Sequence, residues 1–151
     1  MIPTPGAEAK YIHPLARFVT KEAIALLLKV DISQIREIRC WARVILVVGE
    51  RLSKFVSYAD LPPILAVEPP INADIIRWRK RWQKNKRQAP QFWVEFYKQK
   101  FEQAISVAGL QDWGQTISMI KFAFSPAALQ QLRHFYSTAK SKLENLSIIA
   151  A

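Results

Sequence analysis

A mainly α-helical chain carrying a small β-hairpin is what the sequence predicts, and three observations predict it. Apolar residues recur at helical spacing in the C-terminal part, ending in Leu129, Leu132, Tyr136, Ala139, Leu143 and Leu146, which lie 3, 4, 3, 4 and 3 apart. An apolar run at residues 44–48 (VILVV) is broken by Gly49 and followed by Leu52, Phe55 and Val56, the pattern of two strands about a turn. Two short amphipathic segments joined by a tight turn precede that hairpin and predict a helix-turn-helix. The expected organisation is a helix-turn-helix with a hairpin wing over residues 16–62, a proline-rich linker over 63–72 and a helical region over 73–151.

Each element has its local reason. Pro3, Pro5, Gly6 and Pro14 make residues 1–15 read as an irregular arm. Thr20 is an N-cap type, and Ile24, Leu27 and Leu28 give the helix after it one apolar face. Val30 and Asp31 interrupt it. A second helix is expected from Ile32 to about Cys40, with Ile35 and Ile38 inward and Ser33, Gln34, Arg36, Glu37 and Arg39 on its other faces.

The hairpin follows, with a basic tip, and residues 60–63 (DLPP) end the unit. Residues 77–87 carry seven basic side chains and no acid, with Trp78 and Trp82 four apart among them. Pro90 ends or kinks that segment. Phe92, Trp93, Phe96, Tyr97, Phe101, Ala104, Ile105 and Ala108 predict a further helix with Gly109 as its stop. Trp113, Ile117 and Ile120 predict a short helix after Asp112, and Ser125-Pro126 starts the last one.

Composition narrows the partner. Among 151 residues, 22 Lys and Arg face 12 Asp and Glu, a formal net charge of +10. Such an excess favours a polyanion. The single cysteine, Cys40, allows no internal disulfide and no paired-cysteine zinc site, and it is expected to be buried. His13 and His134 have no carboxylate or cysteine pattern beside them, so no metal site and no cofactor is expected. No apolar run approaches the roughly 20 residues of a membrane helix. A soluble, cytoplasmic protein with no membrane partner and no evident small-molecule ligand is the expectation. No acid/base or nucleophile set can be assembled, which points away from an enzyme.

The segments VTKEAIALLLKV, DISQIREI and VVGERLSKFVSYADL resemble, in order, the first helix, second helix and wing of the MerR and excisionase winged helix-turn-helix family. The resemblance covers residues 18–61. Lys29 stands where the family usually has a glycine. In size and layout the chain is also similar to small MerR-type repressors of CRISPR-associated transposons.

The resemblance implies double-stranded DNA binding, with the second helix in the major groove and the wing on the flanking minor groove or phosphates. Candidate DNA contacts are Lys21, Ser33, Gln34, Arg36 and Arg39, then Arg51, Ser53 and Lys54 of the wing. Arg77, Lys80, Arg81 and Lys84 of the basic stretch are candidates for tracking phosphates. Trp78 and Trp82 are read as packing residues, with base stacking the alternative. The resemblance further implies a homodimer formed by the C-terminal helix through Leu129, Leu132, Tyr136, Ala139, Leu143 and Leu146; packing of that seam inside one subunit is the other reading.

The leading expectation is a sequence-specific transcriptional regulator, a repressor acting as a dimer on a two-fold operator. An excisionase-like architectural factor that bends DNA uses the same module. An adaptor that binds a protein partner through its aromatic helices, with solubilising basic residues, is the expectation from another class.

Overall fold

The computed structural model describes residues 13–65, 68–82 and 89–150. Most of the predicted arm, and Lys84, lie outside the described residues. The chain falls into two compact units, Met1–Pro62 and Pro63–Ala151.

In the first unit a 3-10 turn, Pro14–Phe18, buries Leu15 and Phe18. Helix α1 (Lys21–Leu28) starts at Thr20, whose Oγ1 accepts a hydrogen bond from the Ala23 amide at 3.1 Å. It ends on Lys29, whose φ of 57° is left-handed backbone where glycine is the easier residue. A second 3-10 turn, Ile32–Gln34, leads into three antiparallel strands, β1 (Ile35–Cys40), β2 (Ile45–Gly49) and β3 (Leu52–Val56), in the order β1-β2-β3.

The expected second helix is therefore not formed. One helix, a capped turn and a three-stranded meander stand where a helix-turn-helix and a two-stranded wing were expected. The cause lies in β1. Ile35 pairs with Gly49 and Glu37 with Val48, so Arg36 is an extra, bulged residue. The bulge puts Ile35 and Ile38, three apart, on the same face of a strand, and that spacing imitates a helix.

That face carries Ile35, Ile45, Val47 and Val56, all buried, and it shares the core with Ala23 and Ile24 of α1. Gly49 sits where the 3-10 turn crosses closest. A Cβ there would stand 1.9 Å from the Gln34 carbonyl oxygen, so the backbone approach requires a bare Cα. Beyond β3, the Tyr58 hydroxyl donates to the Trp41 carbonyl, and the His13 ring stacks on Tyr58 at 4.3 Å. Cys40, expected to be buried at the end of a helix, is half-buried at the end of a strand.

The second unit holds α2 (Asn72–Trp82), α3 (Phe92–Gln103), α4 (Val107–Met119) and α5 (Pro126–Ala150). The α3 helix stops before Ala104, and Gly109 is not its stop. Ser106 caps a new helix by accepting from the Gly109 amide at 3.1 Å, which starts α4 five residues before Asp112 and leaves Ile105 95 % exposed. The Ser125 start holds as drawn, with its Oγ accepting from the Ala128 amide at 3.0 Å.

The core is aromatic. Trp78, Trp93, Phe96 and Tyr97 are fully buried. Trp93 meets Trp82 at 5.8 Å and Phe124 at 6.0 Å, edge to face in both cases. Tyr97 donates its buried hydroxyl to the Pro63 carbonyl at 2.9 Å, and Ile64 is buried, so the proline-rich stretch begins packed onto its own unit.

Candidate nucleic-acid interface

Register assigns each paired side chain of the sheet to a face. Val47 is paired with Ile38 and Lys54, which places these on the side covered by α1. Leu46 is paired with Arg39 and Phe55, and Val48 with Glu37 and Ser53, which places these on the other side. Among the described residues no helix of the first unit covers that side; α1 lies on the opposite face. Phe55 is 66 % exposed and Trp41, just past β1, is 45 % exposed, with their rings 5.9 Å apart. The result is an open strand face with an apolar and aromatic centre and charged side chains along β1.

Arg39 is held ready rather than free. Its Nε and Nη2 donate to the two carboxylate oxygens of Glu37 at 2.9 and 3.1 Å. Each stabilises the charge of the other: hydrogen bonding to Arg39 draws the Glu37 carboxyl below its ordinary range, and Glu37 raises the Arg39 guanidinium. Both are solvent-exposed, so the pair is weak and exchangeable. Arg36, at the bulge, lies 3.8 Å from Glu50, again an exposed pair.

The remaining sequence-predicted contacts scatter. Ser33 and Gln34 serve the turn: the Ser33 hydroxyl and amide donate to Asp31 Oδ1 at 2.8 and 2.9 Å, and Gln34 Oε1 accepts from the Asp31 amide at 2.8 Å. The Ser33 backbone bond, then its hydroxyl, keeps the Asp31 carboxyl below its usual range. Lys21 is exposed at the start of α1. Arg51 takes left-handed backbone at the β2–β3 tip, with φ 57°. Ser53 and Lys54, neighbours in the sequence, fall on opposite faces. The sequence reading missed Trp41 and gave Phe55 no functional role. Phe55 precedes buried Val56 in β3, and neighbouring strand residues point to opposite faces, which marks Phe55 as outward.

In the second unit, α2 divides cleanly. Asp74, Ile75, Trp78 and Trp82 are buried, and Arg77, Arg79 and Lys80 are exposed on other sides. The two tryptophans are core residues, closed to stacking bases, because their spacing of four falls on the buried face. Arg79 lies over the Phe122 ring at 5.0 Å and Arg81 over Trp82 at 5.2 Å. Arg77 and Lys80 have no acidic partner among the described residues. Asp74 is turned inward and accepts from the Ile71 amide at 3.0 Å.

The seam of α5 packs largely within its own chain. Leu132 and Ala139 are buried, and Tyr136 sets its ring edge-on to Phe101 of α3 at 5.5 Å. Leu129 and Leu143 are half-buried, and only Leu146 stands well exposed, at 61 %. Of the aromatic residues of α3, Trp93, Phe96, Tyr97 and Phe101 are likewise core, and Phe92 is half-buried.

No helix among the described residues is long and apolar enough to cross a membrane. Among those residues no group of three or more His, Cys, Asp and Glu side chains could hold a metal ion. Comparison with protein-family models, curated proteins and solved structures finds no match for the chain.

Proposed function

We propose that this chain binds double-stranded DNA and acts as a sequence-specific regulator, reading the groove with a sheet rather than a helix. The observation that carries the reading is the outward side of α2. There Arg77 and Lys80 stand exposed with no carboxylate partner among the described residues, in a chain of net charge +10. Unpaired cations on a rigid helix suit phosphates, and each neutralised phosphate releases counterions.

Three strands set roughly 4.8 Å apart span about 10 Å, and a major groove is about 12 Å wide. The open face of β1 to β3 fits that width with Arg39, Glu37 and Ser53 outward. Arg39 can exchange Glu37 for the O6 and N7 of guanine, and Glu37 can then accept from a cytosine amine. Repression by occupancy is the simplest mode. A homodimer on a two-fold site is part of this reading, and it would have to pair through the distal turns of α5 near Leu146, since Leu132 and Ala139 already serve the subunit core.

A salt-titrated binding assay on the protein's own upstream region, beside a shuffled duplex, tests this. Lys80→Ala should weaken both duplexes alike and lower the slope of log K against log salt by about 1. Arg39→Ala should lose about 1–3 kcal/mol on the true site and little on the shuffled one. Parent-like binding by both variants refutes the reading. Cooperative filling of tandem direct sites would assign an excisionase-like role instead.

The exposed Trp41–Phe55 pair favours a second reading, a protein partner on the open sheet. Weak, salt-insensitive DNA binding together with a stable heterocomplex abolished by Phe55→Asp would establish it.

A further inference from the structure

The helical unit contains a cleft of about 840 Å³ between α4 and α5, with Phe101 of α3 in its wall. Small-molecule sites commonly measure about 300–1,000 Å³. Its apolar lining is Phe101, Ile117 and Leu132, all buried, with half-buried Leu129. Gly114 lets the Tyr136 ring approach the wall closely: a Cβ there would stand 3.0 Å from that ring.

The charged lining has one sign. Lys121 and Arg133 both face the cleft, and no carboxylate does. Neither cation has an ion-pair partner among the described residues. Tyr136, also in the lining, has no hydrogen bond to its hydroxyl among those residues. Two like charges and a spare hydroxyl over an apolar bed form half of a recognition site. The missing half is an anion with an apolar body.

We propose that this cleft binds an amphipathic organic anion. An aromatic or acyl body lies on Phe101, Ile117 and Leu132, and a carboxylate, sulfonate or phosphate is held by Lys121 and Arg133. The guanidinium fork grips such a group through two parallel hydrogen bonds, and the ammonium adds a point charge. The sequence conceals the pair, because the two cations lie twelve residues apart and come to line one cleft only when the chain reverses between α4 and α5.

Fluorescence titration of the full chain with 8-anilinonaphthalene-1-sulfonate tests the proposal, with uncharged N-phenyl-1-naphthylamine as its partner probe. The sulfonate should saturate one site per chain. Lys121→Gln and Arg133→Gln should each weaken it about tenfold and leave the uncharged probe unchanged. Both side chains are exposed, so circular dichroism should match the parent. Ser118→Trp, which fills the cleft, should remove both probes. Lys140→Gln, a charge change on the same helix outside the cleft, should alter neither. Sulfonate binding by the Lys121 and Arg133 variants at parent strength overturns the proposal, as does an equal loss in Lys140→Gln.

Discussion

Replacing Gly49 with alanine adds one methyl group at the tightest backbone crossing of the first unit. The new Cβ would stand 1.9 Å from the Gln34 carbonyl oxygen and 3.0 Å from its carbon. Carbon and oxygen in ordinary contact keep about 3.3 Å, so roughly 1.4 Å of movement is required. Neither side yields easily. Gln34 belongs to a turn closed by reciprocal bonds with Asp31, and Gly49 is paired with both Ile35 and Leu52.

Overpacking of this kind costs about 1–3 kcal/mol, and more where backbone must shift; about 3 kcal/mol is expected here. A unit of this size holds roughly 3–9 kcal/mol, so the loss is a third of the total or more. Trp41 is the only one of the five tryptophans in the first unit, and its indole N–H signal in a nitrogen-edited NMR spectrum reports that unit alone. With a urea dependence near 1 kcal/mol per molar, its transition midpoint should fall by about 3 M. Gly109→Ala, in the second unit, is the control, read from the indole signals of Trp78, Trp82, Trp93 and Trp113. That Cβ meets only the Ser106 hydroxyl oxygen, at 3.3 Å, in the first turn of α4. It should be neutral or gain up to about 1 kcal/mol. A Gly49→Ala protein within about 0.5 kcal/mol of the parent would refute the crossing, and with it the pairing of β1.

Three further outcomes are expected. Lys29→Gly should stabilise the first unit by about 0.5–1 kcal/mol in the same urea assay, because it relieves left-handed backbone at the end of α1. Tyr97→Phe should cost the helical unit about 1–2 kcal/mol, because the buried Pro63 carbonyl loses its donor; thermal unfolding followed at 222 nm reads the change. Burial raises the phenol of Tyr97 well above its ordinary value, and burial together with neighbouring Cys40 raises that of Tyr58. Both phenols are neutral in the native and unfolded chain below about pH 10, so their contribution is complete there. It is lost as pH rises through the raised values, because the unfolded chain ionises first. Absorbance at 295 nm should therefore show these two of the four tyrosines titrating late and together with unfolding.

Much of the architecture is legible without coordinates, and the reason is local chemistry. Thr20 and Ser125 mark helix starts because a hydroxyl satisfies an amide that no helix carbonyl can reach. Gly49 and the apolar runs beside it mark the β2–β3 hairpin. The division of α2 into a tryptophan side and a basic side follows from a spacing of four. The candidate site was less legible. Arg39, Arg36 and Ser53 belong to it in either architecture, but Ser33 and Gln34 are held by their own turn, and Trp41 and Phe55 join it only once the strand faces are known.

The order of residues alone determined where α1 and α5 begin, where the β2–β3 hairpin turns, and that the chain carries a large positive charge. Tertiary pairing alone decided that residues 35–40 are a strand. One bulged residue, Arg36, turns a strand's two-residue repeat into a spacing of three, and two isoleucines three apart satisfy a helix equally well until β2 supplies the hydrogen bonds. Tertiary packing likewise turned most of the α5 seam toward its own bundle and brought Lys121 and Arg133 into one cleft, because contact between distant segments leaves no periodic mark in either.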